Sequence, residues 1–592
     1  MTQLITRTGK GALNAPLFSR LTGILLLLLS GFVSAEQAIL RYDSLHHPVI
    51  GYEGMVASQR EIASRVGADI MARGGNAVDA AVGVGFALAV VLPRAGNLGG
   101  GGFMVIHLAE SGQTLAIDFR ERAPAAATAD MFLDENGNVD RDAYRSSHKS
   151  VGVPGSVAGL LHALENYGTL PLGDVIAPAI ALAEDGILVD YDLAAAIASS
   201  ERLLSRHPLT RETFFTDGAP RYQAGDIFAQ PALAATLRRI ARNGREGFYA
   251  GKTAADIVAE MERGGGLITL ADLAAYQPAE RAVIRGQFGA FEIASMPPPS
   301  SGGVHLVQML NILSHFPLTQ YGPGSADYLH LLAETMKLAY ADRSKHLGDP
   351  DFYEVPVNWL TSSEYAATLA AAINMDKARP SEDIAPGVAP PFESDNTTHF
   401  SVMDRFGNAV ATTYTLNFSF GSGIMVPGSG FLLNNEMTDF SAKAGVPDGF
   451  GLLTGKANAV EANKRPLSAM TPTIVFRDGK PVLVTGSPGG SRIITAVLQH
   501  ILNYTVFDMN VAAANHAPRI HHQWFPAQLN VEPGFSPDTL NILKARGHAV
   551  MPSGTMGSIQ AISTDGQRFF GTADPRRPGA GAVPVSVMQV NP

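Results

Sequence analysis

The run Asp395-Asn396-Thr397-Thr398-His399-Phe400-Ser401-Val402 holds the residue with the greatest chemical reach in this chain. Thr397 stands where an alternating, strand-like pattern begins, just after a proline-rich segment from Pro380 to Pro391. If the Asn396–Thr397 bond is cut, Thr397 becomes an N-terminus. Its hydroxyl is then a nucleophile and its own α-amine a nearby base. Threonine opening a strand is also ordinary β-propensity, so the residue decides nothing alone.

Five other groups invite a chemical reading. Ser487-Pro488-Gly489-Gly490-Ser491-Arg492 lies between a strand-like run and an apolar helix. Glycines at a helix start expose backbone N–H groups that can meet a developing oxyanion; a tight turn with no ligand is the plain alternative. Arg120, in Asp118-Phe119-Arg120-Glu121-Arg122, could take a carboxylate bidentately or simply pair with Asp118 or Glu121. Glu436 and Asp439 are two carboxylates three residues apart, able to hold an ammonium group, and flanking Phe431-Leu432-Leu433 and Phe440 argue against full exposure. His521 and His522 are adjacent and so point apart, with no carboxylate placed to complete a metal set. Gly251-Lys252-Thr253 has the tail of a phosphate loop, but the first glycine that loop requires falls on Glu246. No metal or cofactor is expected.

These groups need elements to position them. Met55 to Met71 has apolar residues at helical spacing, and Asn76 caps a small-residue helix from Ala77 to Val91. Gly99-Gly100-Gly101-Gly102 then opens a strand, Phe103 to Ile106, that needs close backbone approach, with Leu115 to Arg120 as its partner. Gly155 to about Gly286 and Ser325 to Ala372 read as mostly helical. Met296 to Gly303 is a rigid turn into a helix near Val304. After Thr397 the pattern turns to hairpins: Thr398–Met403 with Ala409–Leu416, Thr473–Phe476 with Pro481–Thr485, and Ser558–Ser563 with Arg568–Thr572. The last two are joined through Asp-Gly. Long helical stretches followed by antiparallel hairpins predict helix layers on sheets, an α+β body.

Bulk properties limit the function classes. With 592 residues, 46% hydrophobic and 17% charged, the chain is globular, and a net charge of -10 argues against a nucleic-acid surface. Arg7, Lys10 and Arg20 precede an apolar core from Leu21 to Val33, and Val33-Ser34-Ala35 offers a small-residue cut before Glu36. Residues 1–35 therefore read as an export signal, too short in its apolar core for a membrane anchor. Zero cysteines exclude disulfides and a lipid-attachment cysteine. A periplasmic location fits best, with full secretion as the alternative.

Taken together, six stretches resemble the γ-glutamyltransferases (glutathione hydrolases) of the N-terminal-nucleophile hydrolase superfamily. They are Gly74–Ala81, Gly96–Phe103, Pro297–Gly303, Thr397–His399, Asn463–Ser468 and Thr485–Gly490, in family order. The resemblance implies a four-layer αββα sandwich. It also implies a precursor that cuts itself before Thr397, giving a large subunit of about 36–396 and a small one of 397–592 that stay associated. It assigns Thr397 as nucleophile with Thr415 orienting it, and Gly489 and Gly490 as the oxyanion hole. Arg120 and Ser468 would bind the α-carboxylate of a γ-glutamyl group, and Asn417, Glu436 and Asp439 its α-amine. Glutathione, other γ-glutamyl compounds, amino acid or peptide acceptors and water are the implied partners.

Two positions depart from the family pattern. Ser468-Ala469 stands where a Ser-Ser pair is usual, which removes a hydroxyl from the carboxylate site. Phe450, in the lid loop Asp439–Ala457, stands where related bacterial enzymes often have tyrosine, which predicts easier water entry and a bias to hydrolysis. A glutaryl or cephalosporin acylase of the same superfamily is a rival, disfavoured because Glu436 and Asp439 would have no ammonium to meet. An unprocessed periplasmic binding protein is the rival from outside enzymology.

Overall fold

Thr398–Asp404 forms a strand with all seven residues buried, and that burial dictates what surrounds it. A strand covered on both faces needs a layer on each side. Phe400 and Val402 point to one face and pack into a cluster with helices Glu61–Ala72 and Ala77–Val91; Met403 points to the other. Full burial of one such side chain is worth roughly 1.5–3 kcal/mol.

The computed structural model describes residues 44–384, 397–443, 446 and 455–586. The export signal 1–35, Asn396 and Phe450 lie outside the described residues. From His46 onward the chain belongs to one unit built on two seven-stranded sheets. The first sheet runs in the order Gly581–Pro584, Gly54–Ser58, Thr398–Asp404, Ala409–Thr415, Gly101–Leu108, Gln113–Phe119, Ala279–Ala282, all neighbours antiparallel. The second runs Val49–Gly51, Phe569–Ala573, Gln560–Thr564, Lys480–Thr485, Thr473–Arg477, Phe291–Ser295, Ile284–Phe288.

One apolar cluster lies between the first sheet and its helices. The other joins the facing sides of the two sheets to helices Gly302–Leu313, Ala326–His346 and Arg492–Thr505. The layers are therefore helix, sheet, sheet, helix, as the α+β reading and the αββα expectation require. Among the described residues no helix is long and apolar enough to cross a membrane.

Both sheets interleave strands from before and after Thr397. Thr398–Asp404 is laddered to Gly54–Ser58, Ala409–Thr415 to Gly101–Leu108, and Phe291–Ser295 to Thr473–Arg477. The three expected hairpins form within two residues of their anticipated bounds, and the turn from Met296 leads into a helix starting at Gly302. Asn76 caps its helix through a reciprocal box. Its side chain accepts from the N–H groups of Val78 and Asp79, and Asp79 accepts from the Asn76 N–H at 2.8 Å.

Two expectations fail. Met55–Ser58 is a strand, and helix begins only at Glu61. Met55, Val56 and Ala57 are covered on both faces beside the Thr398 strand, so no polar face exists to reveal a period of two. The stretch expected to be helical up to Gly286 ends in strands Ala279–Ala282 and Ile284–Phe288. Each is an edge strand of a different sheet, and half-exposed alternation leaves little apolar signal there.

Candidate active site

The ladder between Thr398–Asp404 and Ala409–Thr415 pairs Thr398 with Tyr414. One step further along this register come Thr397 and Thr415, and both line the same cavity. Thr397 is 6% exposed. The Thr415 hydroxyl accepts the Asn417 N–H at 2.8 Å. On its far side Thr415 pairs with Gly101. A Cβ at Gly100 would stand 2.0 Å from the Thr415 carbonyl oxygen, and one at Gly102 would stand 2.4 Å from the Tyr414 Cβ. The glycine run is thus what lets this strand approach the threonines, as its sequence suggests.

A second strand end faces the same space. Between Lys480–Thr485 and helix Arg492–Thr505 the backbone turns through Gly489 at φ 135° and Gly490 at φ 54°. Side chains other than glycine are strained there. Gly490 and Ser491 line the cavity, with Gly489 directly before them. The Gly489 and Gly490 carbonyls accept the N–H groups of Arg492 and Ile493 at 3.0 and 3.2 Å, which fixes the turn to the helix start.

The far wall is ionic. Arg120 is buried, and its guanidinium bonds Glu436 through one terminal nitrogen and Asp439 through the other. It also donates to the carbonyls of Pro466 and Leu467, each at 3.3 Å. Asp118 receives only the Arg120 backbone N–H, at 3.0 Å, and pairs instead with Arg281 and Arg465. The local pairings open to Arg120 in the sequence thus give way to acids more than 300 residues distant, with Glu121 left at 3.8 Å.

Burial governs the acids. It pushes the Glu121 carboxyl up to about 7 against the pull of Arg120. Burial likewise raises Glu436 and Asp439, with Arg120 opposing the shift in both. Arg120 itself stays protonated: burial favours loss of its charge, but Glu436 and Asp439 outweigh that.

Asn417, at φ 78°, turns its amide onto Thr438 Oγ1 at 2.7 Å and Asp439 Oδ1 at 3.0 Å. Its own side-chain oxygen has no partner. Such backbone strain in a buried asparagine costs on the order of 1–3 kcal/mol and clusters at functional sites. Ser468 and Ala469 line the cavity beside it, held from behind by the Pro297–Gly303 turn. The Ser301 hydroxyl donates to the Ser468 carbonyl at 2.7 Å, and the Ser300 hydroxyl to the Met470 carbonyl at 2.6 Å. That turn was legible in the sequence; its task as a cradle was not.

Thr397, Thr415, Gly490, Arg120, Asn417, Glu436, Asp439 and Ser468 thus converge on one cavity. Arg343, Met470 and Ile493 line it too and carry no sequence signal. Arg343 sits among basic residues in the last turn of helix Ala326–His346, where the helix dipole alone accounts for positive charge. Of the rejected candidates, Lys252 pairs with Asp256 at 2.8 Å. His521 bonds Thr495 and Gln523, and burial lowers it to about 3. His330, Glu334 and His548 stand close enough to share a metal. His330 and His548 instead hydrogen-bond each other at 2.8 Å, and the Lys337 ammonium lies 2.6 Å from Glu334.

The sequence profile of the Gamma-glutamyltranspeptidase family matches residues 63–583. A glutathione hydrolase proenzyme of Escherichia coli (strain K12) is 54% identical over 537 residues, which covers 90% of this chain and 92% of that protein. The crystal structure of a cephalosporin acylase from Bacillus halodurans superposes with a TM-score of 0.81 at 28% identity, covering 93% of this chain and 99% of that one. The gamma-glutamyltranspeptidase of Helicobacter pylori is 42% identical, with a TM-score of 0.55 over 60% of this chain and 100% of that chain. With its threonines, glycine turn and ionic wall gathered at one cavity and a match spanning both sheets, the chain belongs to the gamma-glutamyltranspeptidase family.

Proposed function

We propose that this enzyme hydrolyses and transfers the γ-glutamyl group of glutathione and other γ-glutamyl compounds through an ester on Thr397. It first cuts its own Asn396–Thr397 bond. The observation that carries this reading is the meeting of Thr397, Thr415, Gly490, Arg120, Glu436 and Asp439 around one cavity.

While the Asn396–Thr397 bond is intact, the Thr397 nitrogen is an amide and cannot accept a proton. Scission makes it a primary amine with a pKa of about 7.7–8.0, a useful fraction of which is neutral near pH 7. The hydroxyl oxygen attacks the donor's γ-carbonyl carbon as its proton passes to that amine. The resulting oxyanion meets the N–H groups of the Gly489–Gly490 turn, each donor of this kind being worth about 2.7–4 kcal/mol. Collapse expels cysteinylglycine, whose amine takes the proton back, and leaves the γ-glutamyl ester. Water resolves the ester in hydrolysis; an amino acid or peptide resolves it in transfer.

Arg120 and Ser468 hold the donor's α-carboxylate, and Asn417, Glu436 and Asp439 its α-ammonium. A zwitterion entering the Arg120–Glu436–Asp439 group exchanges one set of ion pairs for another, so the buried charges stay compensated. Residues 36–396 and 397–592 act together as large and small subunits, and export through residues 1–35 places them in the periplasm.

The cephalosporin acylase likeness supports a second reading, turnover of glutaryl side chains. Those bring a carboxylate but no ammonium to Glu436 and Asp439, which favours the γ-glutamyl donor. Comparing γ-glutamyl and glutaryl anilides tests this. Faster γ-glutamyl turnover is expected, and the reverse would replace the reading. On a denaturing gel the active protein should give bands near roughly 38 and roughly 21 kDa, scaled by length from the whole chain. Thr397→Ala should give one band near roughly 59 kDa by the same scaling and no turnover. A Thr397→Ala protein that still splits removes the self-cleavage step.

A further inference from the structure

The adjacent histidines His521 and His522 hold no metal, yet the loop that carries them reaches the active site. His522 turns away from its neighbour, and its Nδ1 accepts the Trp524 N–H at 3.1 Å. His521 and Gln523 face helix Arg492–Thr505 instead. His521 bonds Thr495 Oγ1 through Nδ1 at 2.9 Å and Gln523 Oε1 through Nε2 at 3.0 Å. An amide oxygen only accepts, so the imidazole, kept neutral by burial, carries its proton on Nε2. The same Gln523 oxygen accepts the Ser491 hydroxyl at 2.6 Å. Gln499 ties the start of the loop to the helix. Its side-chain oxygen accepts the Ile520 N–H, and its amide donates to the Ile520 carbonyl, both at 2.9 Å.

Ser491 is where this network meets the chemistry. It follows the Gly489–Gly490 turn directly and lines the cavity that holds Thr397. Two glycines at positive φ give the turn its shape, but they also give it the widest backbone freedom. Its placement therefore depends on what grips its ends. Before the glycines, the Ser558 N–H donates to Ser487 Oγ at 2.9 Å. After them, Ser491 is gripped twice, because the Tyr340 hydroxyl donates to its carbonyl and its own hydroxyl donates to Gln523. Donors to an oxyanion act only when aimed in advance, and a misplacement of about 1 Å can cost about 100-fold in rate.

We propose that Gln523 is a positioning residue for the oxyanion turn: its side-chain oxygen, itself held by His521, pins the Ser491 hydroxyl and so fixes the backbone of Gly489 and Gly490. The proposal rests on the reading of Thr397 as nucleophile given above. It adds no chemical step to that reading, and Gln523 touches neither donor nor acceptor. Its effect passes through one hydroxyl, which makes the two residues separable by experiment.

The test uses the mature two-chain enzyme and an L-γ-glutamyl anilide. Gln523→Met keeps the length of the side chain but removes the acceptor, and should lower kcat by about 10–100-fold. KM should move by less than about three-fold, since a contact that serves the transition state leaves donor binding alone. Ser491→Ala should lose as much, and the double variant should lose no more than Ser491→Ala to within about two-fold. Gln523→Glu keeps an acceptor oxygen at the same reach and should recover most of the loss. That variant and Ser491→Ala together decide the matter if Gln523→Met does not mature. Unchanged kcat in Ser491→Ala, losses that multiply in the double variant, a loss carried by KM, or no recovery in Gln523→Glu each overturn the proposal. Failure of the γ-glutamyl reading would look different, because the unsubstituted enzyme would then leave the γ-glutamyl anilide intact. The same variants would in that case be read on the glutaryl anilide, whose carbonyl needs the same turn.

Discussion

Thr415 and Glu121 show how far single side chains set the behaviour of this site. The Thr415 hydroxyl satisfies the buried N–H of Asn417, the residue held at positive φ. Thr415→Val should leave that donor unpaired at a cost of about 1–3 kcal/mol. A lower melting temperature together with lower kcat is expected, and an unchanged melting curve would show that the bond is dispensable. Glu121 makes a pH prediction. Its carboxyl is raised from the ordinary range near 4.5 to about 7 by burial, so the folded state binds its proton more tightly than the unfolded chain. The stability it contributes is complete below about 4.5 and lost as pH rises through about 7. Glu121→Gln removes that dependence. Its melting temperature relative to the parent should rise between pH 5 and pH 8, and a fall would refute the assignment. Ala469→Ser restores a hydroxyl beside Ser468 and should lower KM for the donor by a few-fold, the worth of one hydrogen bond.

At the scale of elements, the strand–turn–helix around Gly489 and Gly490 and the segment around Phe450 bear the next tests. Gly490 sits at φ 54°, where a Cβ costs about 1–2 kcal/mol. Gly490→Ala should therefore shift the backbone of the turn whose N–H groups the proposed mechanism uses. We expect kcat to fall by roughly 10²–10³ with little change in KM, the signature of a contact made mainly in the transition state. An equal rise in KM would instead mean that the turn binds donor. The loop that the family resemblance reads as a lid yields a prediction from chemistry alone. Phe450 lacks a phenolic hydroxyl, so Phe450→Tyr should raise the ratio of transfer to hydrolysis when a dipeptide acceptor is present, and an unchanged product ratio would sink that idea.

At the scale of the whole molecule, scission before Thr397 does not create two independent bodies. Strands from either side of that bond are neighbours in both sheets, with Thr398–Asp404 laddered to Gly54–Ser58 and Phe291–Ser295 to Thr473–Arg477. Separating the products would expose those ladders and the apolar cluster between the sheets. Mature protein should elute as one species in native gel filtration while running as two bands under denaturation. Separate native peaks would contradict the interleaved architecture.

Much of this was readable from local chemistry. A threonine before an alternating run, glycines at a strand start and at a helix start, a capping asparagine and two acids three apart each announce a local geometry, because backbone φ and side-chain period are short-range properties. What lay beyond reach was proximity. Arg120 borders Asp118 and Glu121 in the sequence but pairs with Glu436 and Asp439, and Arg343 shares a cavity with Ala469 only because helix Ala326–His346 packs against helix Gly302–Leu313, which lies on the second sheet. Met55–Ala57 could not declare itself a strand, since residues buried on both faces show no polar alternation. The order of residues determined which groups could act and which turns would hold them. Only the packing of two sheets into one body decided which charges share a cavity, because desolvation and Coulomb energy depend on distance through space.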